Sequence, residues 1–119
     1  MNPQIKARWV AALRSGDYTQ GKGALRRGDE YCCLGVLCDL HRIETGETEW
    51  VPGGAYDWKG RKGRAIWTYA RSAISLPNAV ALWAGLYVPS PVVGESQLSE
   101  LNDGGATFAV IADLIEAQL

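Results

Sequence analysis

No run of about 18 apolar residues occurs in the 119-residue chain, so no transmembrane helix is expected. Its opening, "MNPQIKARW", lacks the charged-then-apolar order of a secretory signal, and the protein is expected to be soluble and intracellular. Basic residues are missing beyond Arg71: all twelve Lys and Arg lie at or before it, against eight acids, and five acids follow with no base. The net charge of -1 therefore conceals a basic first part and an acidic remainder, which implies a bipolar surface or one whose parts neutralise each other. A duplex-DNA binder is more often basic overall, so neither duplex DNA nor a membrane is an expected partner.

Histidine occurs once and cysteine three times. An odd cysteine count without an export signal argues for free thiols and against a disulfide framework. Adjacent Cys32 and Cys33 would bridge only under strain, since neighbouring Cα atoms are about 3.8 Å apart. What is abundant is apolar: 47% of residues are hydrophobic and 21% charged, which fits one globular domain with one core.

Asn2 can cap a helix that starts at Pro3, buries Ile5, Trp9, Ala12 and Leu13 on one face, and stops at Gly16. "KGALRRGDEYCC" reads as a hairpin, with a strand over 23–26, a turn at Arg27-Gly28-Asp29 and a return strand over 30–32. Cys33, Leu34, Leu37, Cys38 and His41 then recur at helical spacing. A second hairpin is expected from the β-type stretches "YDW" and "AIWTY" around "KGRKG". "SLPNAVALWAGL" predicts a helix between Pro77 and Gly85 with Val80 and Trp83 inward, and "VPSPVV" an extended connection. A short helix ending near Asn102, a glycine turn, and a last helix capped by Thr107 with Phe108, Ile111, Ala112 and Ile115 inward complete the chain. The expected fold is α+β: residues 1–119 as a single domain, a short antiparallel sheet of hairpins with about four helices packed on it.

"EYCCLGVLCDLH" gathers all three cysteines and the one histidine. As a metal site it offers Cys33, Cys38 and His41, but it has neither a CxxC knuckle nor a fourth ligand from a second segment. As a nucleophile, Cys33-Leu34-Gly35-Val36-Leu37 resembles the C-x-G-L-V opening the catalytic helix of NlpC-type cysteine peptidases, and a helix start would activate the thiol. His41, eight residues along the same helix, would sit about 12 Å away, too far to serve as base. The remaining reading is structural: small buried residues beside Leu34, Leu37 and Leu40, with Gly35 allowing close packing and His41 in the last helical turn. No catalytic residue, metal or cofactor is assigned.

"YDWKGRKGRAIWTYAR" carries the better candidate. Lys59, Arg61, Lys62 and Arg64 stand between Trp58, Trp67 and Tyr69, and Arg26 and Arg27 of the first hairpin either extend this patch or form a separate one. Guanidinium forks match phosphate oxygens, glycines let backbone N–H groups approach an anion, and aromatic faces stack on bases. The competing reading is a solvated hairpin tip with Trp58 and Trp67 packed across the strands, since GxxxxGK[ST] is absent. Asn102-Asp103 reads first as a turn former and second as a ligand-receiving pair.

"IKARWVAALRSGDYTQGKGALR", "YCCLGVLCDL" and "LNDGGATFAVIADLIEAQL" together resemble a family of small accessory proteins of tailed bacteriophages and prophages. The resemblance implies a non-structural protein in the host bacterial cytoplasm that acts by binding. The expected function is counter-defence: sequestering a nucleotide-derived ligand, uncleaved, through Arg26, Arg27, Trp58, Lys59, Arg61, Lys62, Arg64, Trp67 and Tyr69, as a monomer or homo-oligomer. The alternatives are a protein inhibitor of a host enzyme or defence factor, using the same aromatic and arginine surface, and a cysteine-dependent hydrolase.

Overall fold

The computed structural model of the protein describes residues 1–53 and 65–119. Helix α1, Pro3–Ser15, starts as its sequence dictates: the Asn2 side chain accepts hydrogen bonds from the backbone N–H groups of Gln4 and Ile5 at 2.9 and 3.1 Å. It ends where Gly16 turns left-handed, and it buries Ile5, Trp9, Val10 and Leu13. The Trp9 indole N–H, deep in the core, donates to the Cys33 carbonyl at 2.9 Å and so fixes α1 to the helix that begins there.

That helix, α2, runs from Cys33 to Thr45, with Cys32 as its cap: the Cys32 sulfur accepts from the Gly35 N–H at 3.4 Å. Every residue from Cys33 to Asp39 is buried, as expected of a helix apolar on nearly all sides. Gly35 packs against the backbone of Leu25, so closely that a Cβ there would lie 1.8 Å from the Leu25 carbonyl oxygen. The helix continues one turn past His41, so that residue is not in the last turn but fully inside the protein.

Strands β1 (Thr19–Gln20), β2 (Arg26–Arg27), β3 (Glu30–Tyr31), β4 (Trp50–Pro52) and β5 (Ile66–Tyr69) form one sheet in the order β1-β3-β2-β5-β4. The first hairpin turns through Gly28 and Asp29, since Arg27 faces Glu30 and Arg26 faces Tyr31. All pairs are antiparallel except β1 with β3, a parallel contact that two residues of sequence cannot announce. In the second hairpin β5 forms as expected, but its partner is Trp50–Pro52. Proline is tolerated there because β4 is an edge strand, which needs no inward N–H on its open side. The expected strand at "YDW" and the basic turn lie outside the described residues.

Helix α3 (Asn78–Ala84) follows Pro77, with Val80 buried and Trp83 half-buried. "VPSPVV" contains a small element that proline had hidden: β6 (Val92–Val93) pairs with β7 (Ser96–Gln97) around Gly94. Helices α4 (Leu98–Asp103) and α5 (Phe108–Gln118) close the chain, the latter capped by the Thr107 hydroxyl, which accepts from the Val110 N–H at 3.3 Å. Arg14 reaches from α1 to Asp113 and Glu116 on α5 at 2.6 and 2.8 Å, so the acidic end of the chain does neutralise part of its basic beginning. The fold is thus a small α+β domain, with five helices among the described residues. No helix among them is long and apolar enough to cross a membrane.

Candidate functional site

Strand pairing places Tyr31, Arg26, Trp67 and Pro52 in one row across four strands, on the same face of the sheet. Trp50 and Tyr69 form the next row. Within this frame the Arg26 guanidinium lies 4.0 Å from the Trp67 ring centroid, 5.2 Å from that of Tyr31 and 5.6 Å from that of Trp50. Its Nε donates to the Gly28 carbonyl at 2.8 Å. A guanidinium has five N–H donors, and the four on Nη1 and Nη2 have no hydrogen-bond partner among the described residues. Arg26, Tyr31 and Trp67 are half-buried, whereas Trp50 and Tyr69 in the neighbouring row are buried.

Asp39 of α2 supports this layer from below. One carboxylate oxygen accepts from the Trp50 indole at 3.0 Å and Arg42 Nε at 2.8 Å, and the other from the Tyr18 hydroxyl at 2.6 Å. Burial alone would raise the Asp39 pKa; the bonds from Arg42, Tyr18 and Trp50 outweigh it and hold the carboxyl below its ordinary value. Burial likewise raises the pKa of the Tyr18 and Tyr31 hydroxyls, keeping both protonated at neutral pH.

His41 occupies a separate buried niche. Its Nδ1 is 2.7 Å from the Tyr69 hydroxyl, and its ring meets Trp83 and Tyr69 edge to face. Burial lowers its pKa despite the nearby carboxylates of Glu47 and Glu44, so the ring stays neutral. Burial also pushes the Tyr69 hydroxyl up to about 12.

These two groups set the acid response. A neutral buried histidine and a depressed carboxyl both bind protons more weakly folded than unfolded, so each makes stability fall with pH. The unfolded references are about 6.5 for histidine and about 3.9 for aspartate. Urea midpoints should therefore hold above about pH 7, decline below about 6.5, and decline again below about 4. Replacing His41 with Gln should remove the first decline; an unchanged pH profile would show that His41 is not held neutral.

The three cysteines are free and buried. Burial raises all three pKa values, that of Cys32 to about 11 and those of Cys33 and Cys38 well above the usual thiol range. The Cys33 thiol points at the Leu98 carbonyl, 3.7 Å away, and His41 is committed to Tyr69. Nothing in that arrangement provides an activated thiolate. No group of three metal-ligating side chains occurs among the described residues.

Asn102 is fully buried and works as a clamp. Its Oδ1 accepts from the Cys33 N–H at 3.2 Å and from Gln20 Nε2 at 2.9 Å, while its Nδ2 donates to the Gly21 carbonyl at 2.8 Å. Asp103 adds a bond from the Gly23 N–H at 3.0 Å. Both polar residues are thereby spent on tying α4 to the loop before β2 and to the start of α2.

Of the residues singled out from sequence, Arg26 and Trp67 come together. Arg27, next to Arg26 on a strand, points to the opposite sheet face, so the two do not form one patch. Tyr69 shares the face of Trp67 but is fully buried, with its hydroxyl engaged by His41 and the Thr48 carbonyl. Trp58, Lys59, Arg61, Lys62 and Arg64 lie outside the described residues. Sequence reading missed Tyr31, Trp50, Asp39 and Arg42. Tyr31 could have been found, because a two-residue turn at Gly28-Asp29 sets it opposite Arg26.

A cleft of about 440 Å³ between α1 and Glu116 lies elsewhere, and its Arg14 is already neutralised by Asp113 and Glu116. No curated protein and no solved structure matches the chain. The model of one family does, over residues 1–119, and that family is described as a domain of unknown function (DUF8296).

Proposed function

We propose that this chain, which belongs to the DUF8296 family of domains of unknown function, is a binding protein that captures a nucleotide-type ligand at Arg26 without cleaving it. The observation that carries this reading is the Arg26 guanidinium, held in place by three aromatic rings and one backbone bond, with four N–H donors unpartnered among the described residues. Such a fork has little orientational freedom left to lose and matches the oxygens of a phosphate. The half-buried rings of Trp67 and Tyr31 supply aromatic surface for a base beside it. The buried, protonated thiols speak for capture over cleavage.

In the phage setting that the sequence resemblance implies, this protein would work in the host bacterial cytoplasm, removing a nucleotide signal of host defence. The rival reading is a host-protein inhibitor. It is favoured by a different surface, where Leu82 and Tyr87, 61% and 74% exposed, line one shallow cleft with Trp83.

Thermal shift across monophosphate, cyclic and ADP-ribose-type nucleotides, with chromatography of the ligand recovered after denaturation, separates these readings. At about 100 times Kd, a ligand bound by the folded state alone adds about 2.7 kcal/mol of stability. The expected result is a raised Tm with intact ligand, and a loss of about 1.5–3 kcal/mol of binding in Arg26→Gln. Cleaved ligand would make the protein an enzyme; no shift with any nucleotide would leave the protein-inhibitor reading.

A further inference from the structure

Tyr87 occupies a backbone position that its own fold does not explain. Its φ of 61° lies in the left-handed region, which disfavours a side chain as bulky as tyrosine. Hydrogen bonds on both sides impose it: the Leu86 N–H donates to the Ala81 carbonyl at 2.9 Å, and the Leu76 N–H to the Pro89 carbonyl at 3.0 Å. Glycine would take that conformation without strain. The tyrosine ring is mostly exposed and makes no hydrogen bond or aromatic contact among the described residues.

This ring forms part of the rim of a shallow cleft of about 370 Å³ at the end of α3, together with exposed Leu82 and half-buried Trp83. A cavity of about 150 Å³ already admits a benzene ring, so the cleft has room for a phenol side chain. The Trp83 indole N–H is not fully buried and has no hydrogen-bond partner among the described residues, so it is free to meet an oxygen from outside. None of the side chains lining the cleft is charged. Between Arg71 and Glu95 the sequence carries no Asp, Glu, Lys, Arg or His, although 21% of the whole chain is charged.

We propose that this surface is a twofold interface with a second copy of the chain, in which Tyr87 of each protomer enters the cleft of the other. Two observations favour a copy over a different partner. A protruding ring beside a cleft, both on one surface, is self-complementary, which is what a twofold contact requires. Such an axis also sets every charge on the surface against its own like, and a surface without charged side chains escapes that repulsion. The strained backbone at Tyr87 then has a purpose, since it holds an aromatic anchor in place before the partner arrives. None of this depends on the role of Arg26.

Sedimentation equilibrium of the full chain at about 5–500 µM tests it, with Tyr87→Gly and Leu82→Asp, each checked for native near-UV circular dichroism. Wild-type protein should pass reversibly from 12.9 kDa to twice that mass within this range, because a contact this small gives at best about micromolar affinity. Its Tm should rise with concentration. Tyr87→Gly removes ring and strain together, and should weaken the dimer at least about ten-fold while leaving the Tm of dilute protein within a few degrees of wild type. Leu82→Asp sets like charges across the axis and should weaken the dimer by at least as much. Wild-type protein that stays monomeric throughout overturns the proposal and leaves the surface to a different protein. Association beyond a dimer, or a dimer that either variant leaves intact, overturns it as well.

Discussion

Gly35→Ala should cost about 4 kcal/mol and lower the Tm by on the order of 15 °C, if the chain folds at all. Two effects oppose each other at this position. Alanine is the better helix former by about 1 kcal/mol, and on propensity alone the substitution would stabilise α2. Against that, the new Cβ would sit 1.8 Å from the Leu25 carbonyl oxygen and 2.8 Å from its carbon. Both are backbone atoms, and neither can swing aside like the end of a long side chain. The Leu25 carbonyl also accepts the Cys32 N–H at 3.1 Å, and the Leu25 N–H donates to Ala73. Moving it pulls on β2, on the cap of α2 and on the segment after β5 together. Gly46, the left-handed cap of α2, has nothing within 4 Å of the equivalent point. Its replacement by alanine should cost only the backbone strain, about 1–2 kcal/mol. Urea unfolding of both variants checks the contrast; a Gly35→Ala protein as stable as wild type would mean that α2 does not approach β2 as described.

Asn102→Ala should cost about 3 kcal/mol. The side chain is wholly buried, and its removal strands the Cys33 N–H and the Gly21 carbonyl as well as opening a cavity. Asn102→Asp separates hydrogen bonding from volume. It keeps the shape but replaces the Nδ2 donor with an oxygen facing the Gly21 carbonyl, beside the Asp103 carboxylate. At neutral pH it should be about as damaging as alanine. Measured against wild type at the same pH, it should recover in acid, because a protonated carboxyl can donate again. An Asn102→Asp deficit independent of pH would indicate that shape, and not the donated bond, is what matters.

These two residues also mark where sequence reading reaches and where it stops. Helix ends were legible because caps are local: Asn2 acts two and three residues ahead, Thr107 three, and the glycines at 16 and 85 close their helices in place. The close packing at Gly35 was legible as a need for space, though not its partner. Asn102 was read as a turn residue because the groups it clamps are 69 to 82 residues away in sequence. The same distance problem hid the candidate site. Arg26 and Trp67 were each visible as types, but their stacking depends on β2 pairing with β5, which no local pattern encodes. Assigning Arg26 and Arg27 to one patch overlooked strand alternation, and seeking the partner of β5 at "YDW" overlooked an edge strand that ends in proline.

The central claim is that Arg26 is an anion receptor and not only a brace between aromatic rings. Titrating the protein with the nucleotide that raises its Tm most, while following the side-chain N–H signals of arginine and the indole N–H of tryptophan, tests it most directly. The Arg26 Nη and Trp67 signals should move and saturate together on one curve. Saturable binding that leaves Arg26 and Trp67 unmoved would contradict the account.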